Sequence, residues 1–256
     1  MKKIKLFIIM LVFISAVIGC KKEDPNPAGN LLTGDLIGYT YLYDEHKIRE
    51  ADNSGIIVSI DGTSISTTTG IDGRWILKNL HLGTYTFVMS KPDFGTIKNV
   101  GKEFVGNGQS YYGTSNLYTI PKYTIDGIND SVTYTINSIY TAGTIIVYGT
   151  FTQGDPLTYA YFRLFAGKNP DVSSDPSKNF CTIIGDVLGN LGLTQFYLFL
   201  QTRTLNNFGI VSGDTIYIVV YADSYTSSAY IDLNTGRYFY PNLNPKPSNI
   251  LKVIVP

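Results

Sequence analysis

The chain has few of the residues from which most enzyme sites are built. Its 256 residues include two histidines, two cysteines and one tryptophan. A catalytic zinc needs about three protein ligands, commonly His with Glu or Cys, yet His46 and His81 stand far apart and neither belongs to an H-E-x-x-H pattern. The sequence also has no G-x-S-x-G elbow, phosphate-binding loop or dinucleotide fingerprint. It therefore predicts no catalytic residue, no metal and no cofactor, and we expect His81 to face solvent.

Charge is sparse and balanced. The 20 basic and 20 acidic residues cancel, and no basic cluster points to nucleic acid as a partner. Most acids stand in turn-like positions, such as Asp52, Asp61, Asp72 and Asp155. Two loop carboxylates at the roughly 5 to 9.5 Å spacing of a glycosidase are compatible with this sequence. An enzyme that acts on a polysaccharide or peptide through such carboxylates is therefore the alternative to a non-catalytic protein.

The first twenty residues have the order of charge and hydrophobicity of a secretory signal. Lysines occupy three of the first five positions, and residues 6–18 are apolar apart from Ser15. Gly19 directly before Cys20 resembles the lipobox of bacterial lipoproteins. The resemblance implies a signal peptide over 1–19, cleavage before Cys20 and a lipid on Cys20, with the membrane as a partner through that anchor. An ordinary secretory signal with an incidental cysteine is the alternative.

Residues 20–33 are expected to be a lipidated tether. Lys22-Glu23-Asp24 resembles the export tag of surface lipoproteins in some outer-membraned bacteria, a lysine followed by two acids. The resemblance implies the outer face of the outer membrane, whereas a solvated tether of mixed charge is the alternative. Cys181 is then the one remaining thiol, and because it lies in the apolar run NFCTII we expect it to be buried and inert.

The rest of the chain is predicted to be all-β. From Gly34 onward, short runs rich in Val, Ile, Thr, Tyr and Phe alternate with Gly, Asn, Asp and Pro clusters, and no convincing amphipathic helix is present. This pattern is typical of β-sandwiches. Pro121 lies in a turn-rich segment that suggests a boundary, so we expect two β-sandwich domains in tandem, over 34–120 and 121–256.

The first of these domains resembles the carboxypeptidase regulatory-like domain. The residues that carry the resemblance are Gly55-x-x-Val58-x-Ile60-x-Gly62-Thr63, Thr69 with Gly73, and Trp75-x-Leu77-x-Asn79-Leu80-x-x-Gly83-x-Tyr85. The resemblance implies a transthyretin-like Greek-key β-sandwich that accompanies enzymes without being the catalyst. It also implies core positions for Trp75, Leu80 and Tyr85 and turn positions for Gly62, Gly73 and Gly83. The sequence departs from the family's pattern at Gly70, where an acidic residue is usual.

One strand of the second domain carries a further resemblance. The run SGDTIYIVVYA resembles strand F of fibronectin type III or immunoglobulin-like domains, which implies an immunoglobulin-like sandwich with Tyr217, Val219 and Tyr221 pointing inward. A helical turn is a second expectation, in GDVLGNLGL at residues 185–193, although its glycines disfavour a long helix.

The connection at residues 224–248 is the candidate binding site. Connections between sandwich strands usually take two to five residues, and long loops on rigid scaffolds tend to carry function. This one holds a set of aromatic residues that could form a platform for a glycan or an envelope protein: Tyr225, Tyr230, Tyr238, Phe239 and Tyr240. In the alternative, these rings fold back to cover the sandwich end or the first domain.

Two details accompany this loop. Asn234-Thr235-Gly236 suits the tip of a small hairpin, and Asp232-x-Asn234-x-Gly236 is interpreted as a turn and not as half of a calcium loop. A second aromatic stripe, formed by Tyr39, Tyr41 and Tyr43, has the same two interpretations as the loop and is a candidate inter-domain contact. Together these features predict a non-catalytic, lipid-anchored cell-surface binding or scaffold protein of the outer membrane.

Overall fold

The computed structural model describes residues 32–136, 141–152, 159–188, 194–224, 228–233 and 235–256, and the side chains at 132–142 and 186–188 are not described. The predicted signal peptide, Cys20 and Tyr225 lie outside the described residues. Within the described part, no helix has the length and apolar character needed to cross a membrane.

The predicted all-β fold class is confirmed, because the described residues are organised almost entirely as strands. In chain order these are β1 (Thr33–Tyr43), β2 (Ile57–Ile60), β3 (Ser66–Thr68), β4 (Arg74–His81), β5 (Gly83–Ser90), β6 (Ile97–Phe104), β7 (Gly108–Tyr118), β8 (Thr124–Ile136), β9 (Thr141–Thr152), β10 (Tyr159–Gly167), β11 (Cys181–Leu188), β12 (Gln195–Gln201), β13 (Thr215–Asp223), β14 (Tyr230–Asp232), β15 (Arg237–Phe239) and β16 (Leu251–Ile254). A short helix, α1 (Thr202–Asn206), follows β12.

The first sandwich packs a sheet of order β4-β1-β7 against a sheet of order β3-β2-β5-β6. Period-two alternation puts Val58 and Ile60 of β2, and Phe87 and Met89 of β5, into one hydrophobic core. Burial of each such side chain stabilises the fold by about 1.5–3 kcal/mol relative to exposure. The predicted alternation of these strands is therefore confirmed.

Trp75 lies at the centre of this first core, as predicted. Its indole fills the space left by Gly38, where a Cβ would overlap the ring, and its Nε1 donates to Thr40 Oγ1 over 3.1 Å. Leu80 is also buried. Tyr85 is only partly buried against this core, since its hydroxyl reaches back to donate to the His81 carbonyl over 2.8 Å.

The second sandwich packs a sheet of order β12-β9-β8 against a sheet of order β11-β10-β13-β16. β13 lies between β10 and β16, and in immunoglobulin sandwiches strand F likewise lies between strands C and G. The space between these sheets is filled by a hydrophobic core, whose residues come from positions 123–255 of the sequence. This core is separate from the core of the first sandwich. The division of the chain at residue 120 stays a prediction.

The predicted inward face of β13 is wrong. Ile216, Ile218 and Val220 point into the main core, whereas Val219 and Tyr221 belong to a smaller cluster on the other face of the same sheet, with Tyr217 packed against it. β13 is buried on both faces, so both sets of alternate residues are apolar. Periodicity therefore could not identify the face that points to the main core.

In the segment 185–193, where a helical turn is expected, β11 takes the first part and runs through Leu188. Residues 189–193 lie outside the described part, so the helical turn stays a prediction. The helix α1 was not predicted. Its five residues bury only Leu205, and a segment that short cannot show a helical period.

Several contacts join the two sandwiches. His46 Nδ1 lies 3.0 Å from the Tyr159 carbonyl oxygen. Asn242 occupies the space beside Gly95, where any side chain would overlap it. The residues 32–256 accordingly form one compact unit.

Candidate functional site

A small hairpin forms where it is predicted, with Asn234 of its tip outside the described residues. The hairpin sorts the candidate aromatic residues onto two faces. In the β14–β15 pairing, Tyr230 lies opposite Phe239 and Ile231 lies opposite Tyr238. The rings of Tyr230 and Phe239 are 5.0 Å apart between centroids, and both are half-buried. On the other face, Tyr238 is 59% exposed.

Tyr240 is half-buried against the smaller cluster of Phe165, Val219 and Tyr221, on the face of the β13 sheet that points away from the main core, and not on the hairpin surface. Its ring packs edge-on against Phe165 with 5.8 Å between centroids, and the Arg163 guanidinium carbon lies 3.8 Å from the ring centre. Burial raises the pKa of Tyr240, and the adjacent Arg163 offsets part of that rise. The structure therefore does not bring Tyr230, Tyr238, Phe239 and Tyr240 onto a single platform.

The hairpin connection also reaches the first sandwich. Ser228 Oγ donates to the Asn116 carbonyl over 3.4 Å. Burial raises the pKa of Tyr230, with smaller contributions from the negative charges of Asp232 and of Asp61 in the first sandwich. Part of this loop thus folds back on the first sandwich, and Tyr238 is the described ring of the set that stays mostly open to solvent.

Acidic residues are used in turns. The Asp232 carboxylate accepts hydrogen bonds from the amide of Thr235, over 2.9 Å, and from its hydroxyl, which confirms a turn at this position. Asp52 and Asp175 accept amide bonds from Ser54 and Ser177, and these bonds lower the pKa of each carboxyl.

Asp72 accepts a bond from the Arg74 amide in the turn before β4, and His81 is exposed. Asp72 therefore stabilises the turn before β4, and His81 faces solvent as expected. Among the described residues, no three His, Cys, Asp or Glu side chains are grouped so as to hold a metal ion.

The Tyr39, Tyr41 and Tyr43 stripe packs within its own sheet. Tyr39 lies beside Tyr41 and Tyr111, with centroid distances of 6.2 and 6.3 Å. The Arg49 guanidinium lies 3.7 Å from the Tyr41 ring centre, and Tyr43 stacks on Tyr118 at 5.3 Å. Neighbours in the first sandwich therefore cover part of the surface of these half-buried rings.

The second sandwich has a different aromatic surface that is exposed to solvent. We call it the tyrosine face, and it is formed by the outward side chains of Tyr148 in β9 and of Tyr197 and Phe199 in β12. In β12, alternation sends Phe196 and Leu198 into the core and leaves Tyr197 and Phe199 in solvent, 52% and 56% exposed. Register places Tyr197 directly opposite Tyr148. The two rings are inclined by 27° with 6.2 Å between centroids.

Polar groups surround these rings. A shallow cavity of about 210 Å³ is lined by Asp126, Gly127, Asn129, Tyr148, Gly149, Thr150, Gln195 and Tyr197. Asn129 lies opposite Tyr148 on β8, and Tyr197 Oη donates to Gln195 Oε1 over 3.3 Å. Thr152 Oγ1 donates to Asp126 Oδ1 over 2.9 Å. The surface therefore combines roughly parallel aromatic rings with oriented amide and carboxylate groups.

Sequence reasoning missed the tyrosine face. Its signal is the alternation Gln195-x-Tyr197-x-Phe199-x-Gln201, in which amides flank aromatic residues on one side of a strand. The intervening set, Phe196, Leu198 and Leu200, is just as hydrophobic. Which set faces the core is decided by the opposing sheet.

Comparison with known proteins gives no family for this chain. No protein-family model matches it, and no curated protein matches it. Among solved structures, a candidate carbohydrate-binding protein from Bacteroides uniformis aligns at 13% identity over 88% of this chain and 100% of the other, with a TM-score of 0.30. A DUF3823 family protein from Bacteroides ovatus aligns at 14% identity over 88% and 100%, with a TM-score of 0.25.

A chain of a type II cohesin–X-dockerin complex from Acetivibrio cellulolyticus aligns at 20% identity with a TM-score of 0.30. The match covers 34% of this chain and spans 58% of the other. At TM-scores of 0.30 or less these likenesses say nothing about function.

Proposed function

We propose that this protein is a non-catalytic binding module and that its tyrosine face binds a neutral glycan. The observation that carries the proposal is the exposed, roughly parallel Tyr148–Tyr197 pair beside Asn129 and Gln195. Aromatic faces pack against the apolar C–H face of a sugar ring, and the phenol tips stay available for hydrogen bonds. Amide side chains both donate and accept, as sugar hydroxyls require.

The lining of the cavity supports a neutral ligand. It contains no Lys or Arg and one carboxylate, Asp126. Nucleic acids and other phosphate-rich partners bind through clusters of basic side chains, which this surface does not offer. The cavity is also open and smaller than the roughly 300–1,000 Å³ of drug-sized pockets, which suits a short stretch of a chain-like ligand lying across the sheet.

The lipid anchor belongs to the same proposal. A lipid on Cys20 and the export tag Lys22-Glu23-Asp24 would hold the two sandwiches at the outer face of the outer membrane, with residues 20–33 as the tether. Glycan capture at the cell surface is a function for which a fixed, non-catalytic module is suited. The support for this part is the sequence of the leader and tether.

Binding to an array of neutral polysaccharides and oligosaccharides tests the proposal. Tyr197→Ala and Tyr148→Ala should each weaken binding of the retained glycan by about 2 kcal/mol, the usual cost of losing an aromatic anchor. Tyr238→Ala is the matched control, because that ring is 59% exposed against 52% for Tyr197 but lies on the hairpin. Retention of full affinity by both tyrosine-face variants, or loss in the control alone, would contradict the proposal.

A further inference from the structure

The open side of the first sandwich carries a groove that the proposed function does not use. β6 is the end strand of one sheet and β7 the end strand of the other. Among the described residues, no strand pairs with the outer edge of either. A cavity of about 270 Å³ lies between these edges, with Phe87 and Phe104 among its apolar lining residues and Tyr111 exposed beside it.

A β-bulge directs one side chain into this groove. In the β1–β7 pairing, Ile37 lies opposite Tyr111 and Gly38 opposite Gly113, so Tyr112 is the extra residue. Gly113 has φ +113, a conformation that glycine adopts at low cost. Bulges re-aim side chains and are frequent beside functional sites.

The Tyr112 ring packs on the core, whereas its hydroxyl has no hydrogen bond of regular geometry. Its ring lies 4.9 Å from Phe87, edge to face, and 5.3 Å from Trp75 between centroids. Its hydroxyl is buried and makes no hydrogen bond of regular geometry to a described side chain. Burial raises the pKa of Tyr112 to about 12, and polar contact with Asn99 and Ser115 offsets part of that rise. Asn99 and Ser115 are close by, but the Asn99 amide donates to Ser115 Oγ instead, over 3.3 Å. A buried hydroxyl without a well-formed hydrogen bond is unfavourable, because the water it has lost is not replaced.

The groove continues along β7. A second cavity of about 220 Å³ shares Asn99, Thr114 and Ser115 with the first and extends to Asn116, where residues 228–229 of the hairpin connection border it. The Asn116 side-chain oxygen is also buried without a partner. From Ser110 to Asn116 an extended chain spans roughly 20 Å at about 3.3 Å per residue. The groove is therefore long and narrow, with neutral hydrogen-bonding atoms spaced along its base.

We propose that this groove binds an extended peptide segment of a partner protein. Apart from the Asn116 carbonyl, which accepts a bond from the Ser228 hydroxyl, the outer edges of the end strands β6 and β7 offer backbone N–H and C=O groups that no described strand pairs. This is the arrangement by which an extended peptide adds to a sheet. Peptide N–H groups satisfy Asn116 Oδ1, and a peptide carbonyl or amide satisfies the Tyr112 hydroxyl. Lys102 and Glu103 line the groove with opposite charges, which suits a peptide with side chains of both signs.

Panning a phage library of linear dodecapeptides against the purified full chain tests this inference. We expect enriched peptides whose synthetic forms bind the wild type. Thr114→Trp, which places a large side chain where the two cavities meet, should reduce their affinity at least tenfold. Thr114 is exposed, so this substitution should be compatible with folding.

Tyr112→Phe keeps the ring and removes only the unpaired hydroxyl. It should leave the melting temperature unchanged or higher and weaken the peptides about tenfold, the effect of one buried hydrogen bond. Tyr85→Phe makes the same chemical change in the same sandwich outside the groove, and it should leave peptide affinity unchanged. Failure to enrich any peptide, or peptides that bind Thr114→Trp and Tyr112→Phe as tightly as the wild type, would overturn the inference.

Two variants distinguish binding in this groove from binding at the tyrosine face. Tyr197→Ala should leave the selected peptides bound, and Thr114→Trp should leave glycan binding intact. Peptides displaced by Tyr197→Ala, or a glycan lost with Thr114→Trp, would also overturn the inference.

Discussion

Arg163 Nε donates to Asp223 Oδ2 over 2.6 Å, with both side chains buried in the second sandwich. Burial raises the pKa of Asp223, and the charge of Arg163 offsets only part of that rise. The pair is therefore a costly internal contact that holds β10 and β13 together and supplies the cation above Tyr240. The Asp223 carbonyl also accepts a 2.6 Å bond from Tyr123 Oη.

Removing one partner of this ion pair should destabilise the protein strongly. Arg163→Met is expected to lower the free energy of unfolding by about 3–5 kcal/mol, because Asp223 is left buried without its partner. Arg163→Met with Asp223→Leu should cost much less than the sum of the two single changes, since no charge is then left buried. Urea unfolding of the four proteins in a double-mutant cycle measures this coupling. Additive single costs would show that the pair is not coupled.

Tyr238 and Tyr240 form a matched pair for the predicted hairpin platform. Tyr240→Ala should destabilise the protein by about 2–4 kcal/mol, because its ring packs on Phe165 and under Arg163. Tyr238→Ala should change stability by less than about 0.5 kcal/mol, as for most exposed positions. Thermal unfolding of both variants decides this, and equal costs would contradict the placement of the two rings.

The Cys181 thiol should be slow to react. Burial raises its pKa from 9.0 to about 11, so at pH 8 its thiolate fraction falls about a hundredfold, and the thiolate is the reactive form. Alkylation by iodoacetamide in the native protein should be slower by at least that factor than in urea. Fast modification of the native protein would contradict the burial.

The same shift predicts a loss of stability in alkali. Below pH 9 the thiol is protonated in both the folded and unfolded chains, so its contribution to stability is complete. Between about pH 9 and 11 the unfolded chain ionises first, and stability falls. Cys181→Val removes this titration, so the difference in unfolding free energy between wild type and variant should shrink over that range. A pH-independent difference would count against the shift.

Cys20 should be the lipidated first residue of the mature protein. Cys20→Ser should leave an uncleaved precursor that takes up no labelled fatty acid. Globomycin, which blocks the cleavage but not the acylation, should leave an uncleaved wild-type precursor that is still labelled. A Cys20→Ser protein that is processed to normal size would contradict the anchor.

Replacement of Lys22-Glu23-Asp24 by alanines should protect the protein from protease added to intact cells, whereas the native protein should be digested.

Sequence patterns predicted the first sandwich well. In its strands β2, β4 and β5 the inward set is larger and more apolar than the outward set, so alternation identifies Val58, Trp75 and Phe87 as core. The outward faces still carry Ile57, Ile76 and Val88. Turn chemistry was equally informative, because Asp72-Gly73 and the Asp232–Gly236 turn are built from local hydrogen bonds. Each of these features depends on residues a few positions apart.

The candidate binding surface was harder to predict. In β12 and β13 the residues on both faces of the strand are largely apolar. An apolar residue can face a core, a second cluster or solvent, so the pattern does not identify the inward face. Tyr197 and Leu198 are adjacent and both hydrophobic, yet one is exposed and the other buried. The five aromatic residues of the 224–248 loop drew the prediction because they are clustered in sequence, but hairpin geometry places Tyr238 outside and Tyr240 against Phe165.

The sequence by itself determined the β-strand character, the turns and the burial of Cys181, because these follow from local composition and period. The leader stays a prediction from the same kind of local pattern. Only the tertiary structure decided which apolar faces stay open. Tyr148 and Tyr197 come together through the β9–β12 register, and Tyr112 enters its groove through one extra residue in β7. Both outcomes depend on pairing between strands far apart in the chain, and a one-residue change of register would send each side chain to the opposite face.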